Sequence, residues 1–125
     1  MDRPKRILIV DDEEDIRTYL STLLEDQGFQ TVLAKDGEEA MQKLLAEPPD
    51  LISLDISMPE KSGVKFFREM KMDDRWKKIP IIIVTGVSED FKNFISSRHH
   101  IPAPDGFVSK PISPEEILNL VRTLA

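Results

Sequence analysis

The chain has 125 residues, 40% hydrophobic and 32% charged, the size and balance of one globular domain able to bury its own core. A net charge of −6, with no basic stripe to offset it, argues against a nucleic-acid footprint. The absence of cysteine excludes disulfides, thiolate nucleophiles and cysteine-based zinc sites.

The N-terminal Met1-Asp-Arg-Pro-Lys-Arg6 leads into only four apolar residues, Ile7-Leu-Ile-Val10. Neither a signal peptide nor a transmembrane run is recognisable, so a cytoplasmic protein without membrane contact is expected. Ile7–Val10 reads as a strand ending in Asp11-Asp12. From Glu13 the period changes, and Ile16, Tyr19, Leu20, Leu23 and Leu24 recur at helical spacing up to a stop at Gly28. Phe29 to Ala34 reads as a second strand, closed by a turn at Lys35-Asp36-Gly37. Ala40, Met41, Leu44 and Leu45 mark a second helix, halted by Pro48-Pro49.

Leu51-Ile-Ser-Leu-Asp55 follows, bounded by Pro48-Pro49 and Pro59, too short for a helix and apolar enough for a buried strand. Its closing carboxylate falls where open parallel sheets place their ligand sites, at the C-terminal end of a strand. Gly63 opens a third helix with Val64, Phe66, Phe67 and Met70 as apolar positions. Ile79 to Val84 is a fourth strand, ending in Thr85-Gly86. A weakly amphipathic helix is expected from Glu89 to about Arg98, with Phe91, Phe94 and Ile95 inward, and Ile101-Pro-Ala-Pro104 as a loop. Gly106 to Ser109 is a short fifth strand running into Lys110-Pro111. Ser113-Pro114-Glu115-Glu116 combines an N-cap, a proline at the first helical position and acids in the first turn. Ile117, Leu118, Val121 and Leu124 are that last helix's apolar face.

Strands and helices alternate five times, and the strands are too continuously apolar to be half exposed. That pattern is an α/β domain, a parallel sheet with helices on both faces, spanning residues 1–125 as one unit. Four strands end in polar residues: Asp11-Asp12, Asp55, Thr85 and Lys110. In a parallel sheet all four ends share one edge. Three carboxylates meeting there repel one another unless a cation sits among them, and oxygen ligands suit Mg²⁺. A carboxylate nucleophile, Mg²⁺, a lysine and a hydroxyl are the parts phosphoryl transfer requires.

With these motifs in order (Ile7-Leu-Ile-Val-Asp-Asp-Glu13, Leu54-Asp55 with Met58-Pro59 and Gly63, Thr85-Gly86, Lys110-Pro111) the chain resembles a response-regulator receiver domain of two-component signalling, chemotaxis-regulator-like. The resemblance covers essentially the whole chain. It implies a flavodoxin-like, doubly wound five-stranded sheet of order 2-1-3-4-5. It further implies that Asp55 accepts a phosphoryl group from a sensor histidine kinase or phosphotransfer protein. Asp12 would ligate Mg²⁺ directly, Asp11 partly through water, and Ser57 through its backbone carbonyl, with Asp55 completing the set. Thr85 and Lys110 would contact the phosphoryl group in a self-catalysed, non-enzymatic signalling module. The signal would pass through the fourth helix, fifth strand and last helix to a downstream protein or effector domain, without direct nucleic-acid binding by this domain and with homodimerisation open.

The chain departs from the family between Thr85 and Lys110, which is longer than usual and carries Ile101-Pro-Ala-Pro104 where a small-residue turn is customary. Partner choice and dimer mode therefore do not carry over. Phe107 stands at the switch-aromatic position, often tyrosine, which removes a hydroxyl-based readout; burial favours an inward ring.

Blander readings apply elsewhere. Glu14 and Asp15 read as a solvated helix start, while Glu13 fits both a cap and the site. Phe66, Phe67, Phe91 and Phe94 read as core, Trp76 as a partly exposed packing residue, and His99-His100 as solvated loop. A haloacid-dehalogenase-type hydrolase would want a second acid where Ser57 stands, and a cap insertion for which there is no room. A flavin or nucleotide carrier would meet repulsion from Asp11-Asp12 and lacks a glycine-rich phosphate loop. A degenerate receiver that docks partners without phosphorylation conflicts with the intact set Asp11, Asp12, Asp55, Thr85 and Lys110.

Overall fold

The computed structural model describes residues 3–58, 62–86 and 103–125. Among them the order is β1 (Arg6–Val10), α1 (Glu14–Glu25), β2 (Gln30–Ala34), α2 (Gly37–Ala46), β3 (Leu51–Asp55), α3 (Ser62–Lys71), β4 (Ile81–Thr85), β5 (Gly106–Ser109) and a C-terminal helix, α4 (Pro114–Leu124). The helix expected over 89–98, with Phe91, Phe94 and His99-His100, lies outside the described residues.

All strand pairs are parallel and the sheet order is β2-β1-β3-β4-β5, as expected. β3 and β4 are buried along their whole length, which is why their sequences lack polar alternation. Side chains of successive residues leave the sheet on opposite faces, so the core divides in two. Leu8, Val10, Ile52, Leu54, Ile81 and Ile83 pack on one side with Ala40 and Leu44 of α2 and Phe66, Phe67 and Met70 of α3. Ile7, Ile9, Leu51, Ile82, Val84 and Val108 pack on the other with Leu20 and Leu24 of α1 and Ile117 and Val121 of α4.

The helix ends follow local chemistry. Gly28 adopts φ +92, a conformation costly for a residue with a Cβ, and the amides of Gln27, Gly28 and Phe29 close on the carbonyls of Leu24 and Glu25. Phe29 is thereby spent on ending α1, and β2 begins one residue later than expected. Asp36, expected in a turn, is the N-cap of α2 and accepts from the Glu39 amide at 2.8 Å. Ser113 caps α4 in the same way, with Pro114 following. β4 starts at Ile81 rather than Ile79, because the Ile79 amide is bound to Trp76 O and Pro80 has none to give.

Two side chains differ from expectation. Trp76 is only 6% exposed, packed into the α2–α3 side of the core, although charged residues flank it on both sides. Arg75 lies over its ring, 4.0 Å from the centroid, and covers a face that the flanking charges had suggested was open. Leu45, one of the apolar positions that mark α2, is 59% exposed.

Candidate functional site

β1 and β3 align Val10 with Leu54, so the next residue of each strand, Asp11 and Asp55, falls level at the C-terminal edge of the sheet. β4 and β5 align Thr85 with Ser109, which sets Lys110 just past the same edge. The expected convergence is present. Carboxylate oxygens of Asp11, Asp12 and Asp55 lie within 4.8 Å of one another. Lys110 Nζ stands 3.1 Å from Asp11 Oδ2, 3.5 Å from Asp55 Oδ2 and 3.8 Å from Glu13 Oε1.

Asp11 and Asp55 are buried, whereas Asp12 is exposed and turns its carboxylate into the cluster. Burial pushes the Asp11 carboxyl above its usual range; the Glu13 amide opposes this, the Asp55 charge adds to it, and Lys110 lowers it. Asp12 is also raised, first by the desolvation of its inward-facing end and then by the Asp55 charge. Burial works against the charged form of Lys110. Asp55 and then Asp11 more than offset this, with a smaller share from Glu13, so the lysine stays raised and cationic.

The donors around these acids are specific. Asp55 Oδ1 accepts from the Ser57 amide at 2.9 Å and from the Ser57 hydroxyl at 2.6 Å. Asp55 Oδ2 faces Lys110. Asp11 Oδ1 accepts from the Glu13 amide at 2.9 Å, and the Asp11 amide donates to Ala34 O at 3.1 Å. Glu13 sits at the N-cap position of α1 without a side-chain cap bond, and its carboxylate reaches toward Lys110, so it belongs to the rim of the site rather than to a cap. Thr85 is buried at the end of β4, and its carbonyl accepts from the Lys110 amide at 2.8 Å. The Lys110–Pro111 peptide is cis. Phe107, opposite Ile83 on β5, is partly buried against the α2–α3 side of the core.

Two contributors escaped the sequence reading. A Cβ on Gly63 would stand 2.3 Å from the Asp55 carbonyl oxygen and 2.9 Å from Ile56 Cα. The start of α3 thus rests on the backbone that carries Asp55, an approach open only to glycine. Its place in the motif was visible, but not this contact. Arg17 of α1, which no motif or apolar period singles out, donates from Nη1 to Asp11 O at 2.7 Å.

Three carboxylates converging beside one lysine fit a hard divalent cation; burial is the main reason Asp11 and Asp12 are raised, and the Asp55 charge adds a repulsion that such an ion would relieve.

Comparison with known proteins agrees with this geometry. Residues 7–122 match the response regulator receiver domain family. The chain is 35% identical over 120 residues to the alkaline phosphatase synthesis transcriptional regulatory protein PhoP of Bacillus subtilis, covering 96% of this chain and 48% of that protein. It is 34% identical to the phosphate regulon transcriptional regulatory protein PhoB of Escherichia coli, covering 96% and 51%. The chain therefore spans about half the length of these curated relatives. Among solved structures, the signal receiver domain of a signal transduction histidine kinase from Syntrophus aciditrophicus superposes with a TM-score of 0.85 at 31% identity, covering 96% of this chain and 89% of that one. The chemotaxis protein CheY4 of Vibrio cholerae gives 0.82 at 29%, covering 98% and 100%. With its sheet order, its acidic edge and the match over residues 7–122, the chain belongs to the response regulator receiver domain family.

Proposed function

We propose that this chain, as a single receiver domain over residues 1–125, takes a phosphoryl group onto Asp55 from the phosphohistidine of a sensor histidine kinase or phosphotransfer protein, in a Mg²⁺-dependent reaction. The observation that carries the reading is the cluster of Asp11, Asp12 and Asp55 with Lys110 at one sheet edge. Ser57 occupies Asp55 Oδ1 with two donors, which leaves Oδ2 as the attacking oxygen. Oδ2 forms the bond to phosphorus as the phosphorus–nitrogen bond breaks; the electron pair leaves with the imidazole, and the carboxylate becomes an acyl phosphate. Asp11, Asp12, Asp55 and the Ser57 carbonyl would hold the ion. Mg²⁺ held there would offset the negative charge gathering on the phosphoryl oxygens. Lys110 supplies a second positive charge on the Oδ2 side, and Thr85 a hydroxyl donor from the next strand.

Ser57 as a hydrogen-bond donor to Asp55 is the opposite of what a hydrolase would need there, since that chemistry wants a second acid. The domain is therefore read as a non-enzymatic switch that catalyses its own phosphorylation and dephosphorylation. Its output would run from Thr85 and Phe107 to the face of β5, α4 and the helix expected over 89–98, toward a downstream protein or effector domain. The PhoP and PhoB relatives are named as transcriptional regulators, and the remaining half of such proteins is where contact with DNA would belong. No described helix is long and apolar enough to cross a membrane; a cytoplasmic location is part of the proposal.

Incubation with Mg²⁺ and acetyl phosphate should add one acid-stable, base-labile phosphoryl group, read by intact mass. Asp55→Asn should abolish it, because an amide is not a nucleophile here. Labelling of Asp55→Asn at the wild-type rate would sink the assignment. Phosphotransfer profiling against a panel of histidine kinases then identifies the donor.

A further inference from the structure

Asp11 is pinned at nearly every polar atom. Its amide donates to Ala34 O at 3.1 Å, Oδ1 accepts from the Glu13 amide at 2.9 Å, and Oδ2 pairs with Lys110 at 3.1 Å. Its carbonyl is the link to Asp12, the exposed member of the cluster. That carbonyl accepts from Arg17 Nη1 at 2.7 Å, a short bond from a charged donor. Arg17 lies in the first turn of α1, and helical side chains lean toward the N-terminus, which brings its half-buried guanidinium back over the loop. The peptide unit is planar, so holding the Asp11 carbonyl also holds the Asp12 amide and the direction of the Asp12 Cα.

We infer that Arg17 is a positioning residue of the cation site, acting on the Asp11–Asp12 peptide so that the exposed Asp12 carboxylate stays aimed at Asp55. The inference rests on the Mg²⁺ reading above. It runs against simple electrostatics, because a guanidinium near a cation site repels the cation. The two effects have opposite signs. If the charge of Arg17 dominates, removing it tightens Mg²⁺ binding. If positioning dominates, removing it weakens binding, by about tenfold or more, the usual consequence of losing a group that orients a metal ligand.

The experiment is a calorimetric Mg²⁺ titration of wild type and Arg17→Ala, at a temperature where circular dichroism shows both folded. It is paired with ¹⁵N–¹H spectra of the metal-free proteins. The expected result is a Kd raised about tenfold in the variant, with shifts at the Asp12 and Glu13 amides. Binding as tight as wild type, or tighter, in Arg17→Ala overturns the inference and leaves the receiver reading intact. So does a lowered melting temperature with an unmoved Kd, which would make Arg17 a merely structural residue. Wild type that takes up no Mg²⁺ overturns the receiver reading and this inference together. Should Arg17→Ala not fold, Arg17→Gln, also neutral and too short to hold the same contact, carries the same sign test.

Discussion

At the scale of single residues, the three acids of the site are not equivalent. Asp11 is buried and engaged with Lys110 and the Glu13 amide, whereas Asp12 is exposed and meets chiefly the negative charge of Asp55. Without metal, Asp11→Ala leaves the part-buried Glu13 amide and Lys110 short of an acceptor, and should cost about 0.5–1.5 kcal/mol. Asp12→Asn removes mainly repulsion and should leave metal-free stability unchanged or raise it by up to about 1 kcal/mol, the scale of exposed charge pairs. Urea titrations of the two variants in EDTA decide the matter, and equal losses would contradict this division. The acids and Lys110 were legible in the sequence because a charge ending an apolar strand stands out against its neighbours. Arg17 was not: an arginine in a helix with a polar outer face looks the same whether its guanidinium meets water or a carbonyl six residues back. Trp76 misled for the reverse reason, since neighbouring charges say nothing about where a ring points when Arg75 can lie across it.

At the scale of elements, α3 runs from one edge of the sheet to the other and does different work at its ends. Gly63 at its start sits against the Asp55 carbonyl. Lys71 at its end is buried and donates to Lys77 O at 3.2 Å, Ile79 O at 3.1 Å and Asp105 Oδ2 at 3.3 Å, while the same Asp105 oxygen accepts from the Ile81 amide at 2.8 Å. These partners lie just before β4 and β5, at the edge away from the acids. Gly63→Ala would gain at most about 1 kcal/mol in helix preference. The obstructing atoms are backbone and cannot step aside, so overpacking of about 1–3 kcal/mol should win, and Mg²⁺ affinity and Asp55 labelling should fall with stability. Lys71→Met keeps the stem but leaves two carbonyls without their charged donor, and should cost about 2 kcal/mol while Mg²⁺ affinity stays put. Denaturant curves and Mg²⁺ titrations on both variants test the contrast; a metal-binding defect in Lys71→Met would show that the two edges are coupled. Periodicity revealed α3 and its apolar face, but a buried lysine at the last position of a polar-looking turn carries no periodic signature.

At the scale of the whole molecule, the site draws on the ends of β1, β3, β4 and β5, so occupying it ties together strands that the sheet's hydrogen bonds already order. A cation that binds only the folded chain should raise its stability by about 2.7 kcal/mol at a hundred times its Kd. Thermal melts should shift upward with millimolar Mg²⁺, and the shift should vanish in Asp12→Ala. A wild-type melt indifferent to Mg²⁺ would count against a formed acidic pocket. The alternation of strand and helix made the layered architecture legible at this scale. The sheet order was reached through family resemblance, because no periodicity says which strand lies beside which.

The pairing of Lys110 with Asp55 joins residues 55 positions apart. During synthesis, then, Asp55 emerges from the ribosome well before the lysine that pairs with it. A nascent chain whose β5 is still in the exit tunnel carries Asp55 without its cationic partner, and so does a product cut short anywhere before residue 110. On the function proposed above, competence to take up a phosphoryl group would be deferred until the last strand is in place, and incomplete copies would not drain phosphoryl groups from a donor.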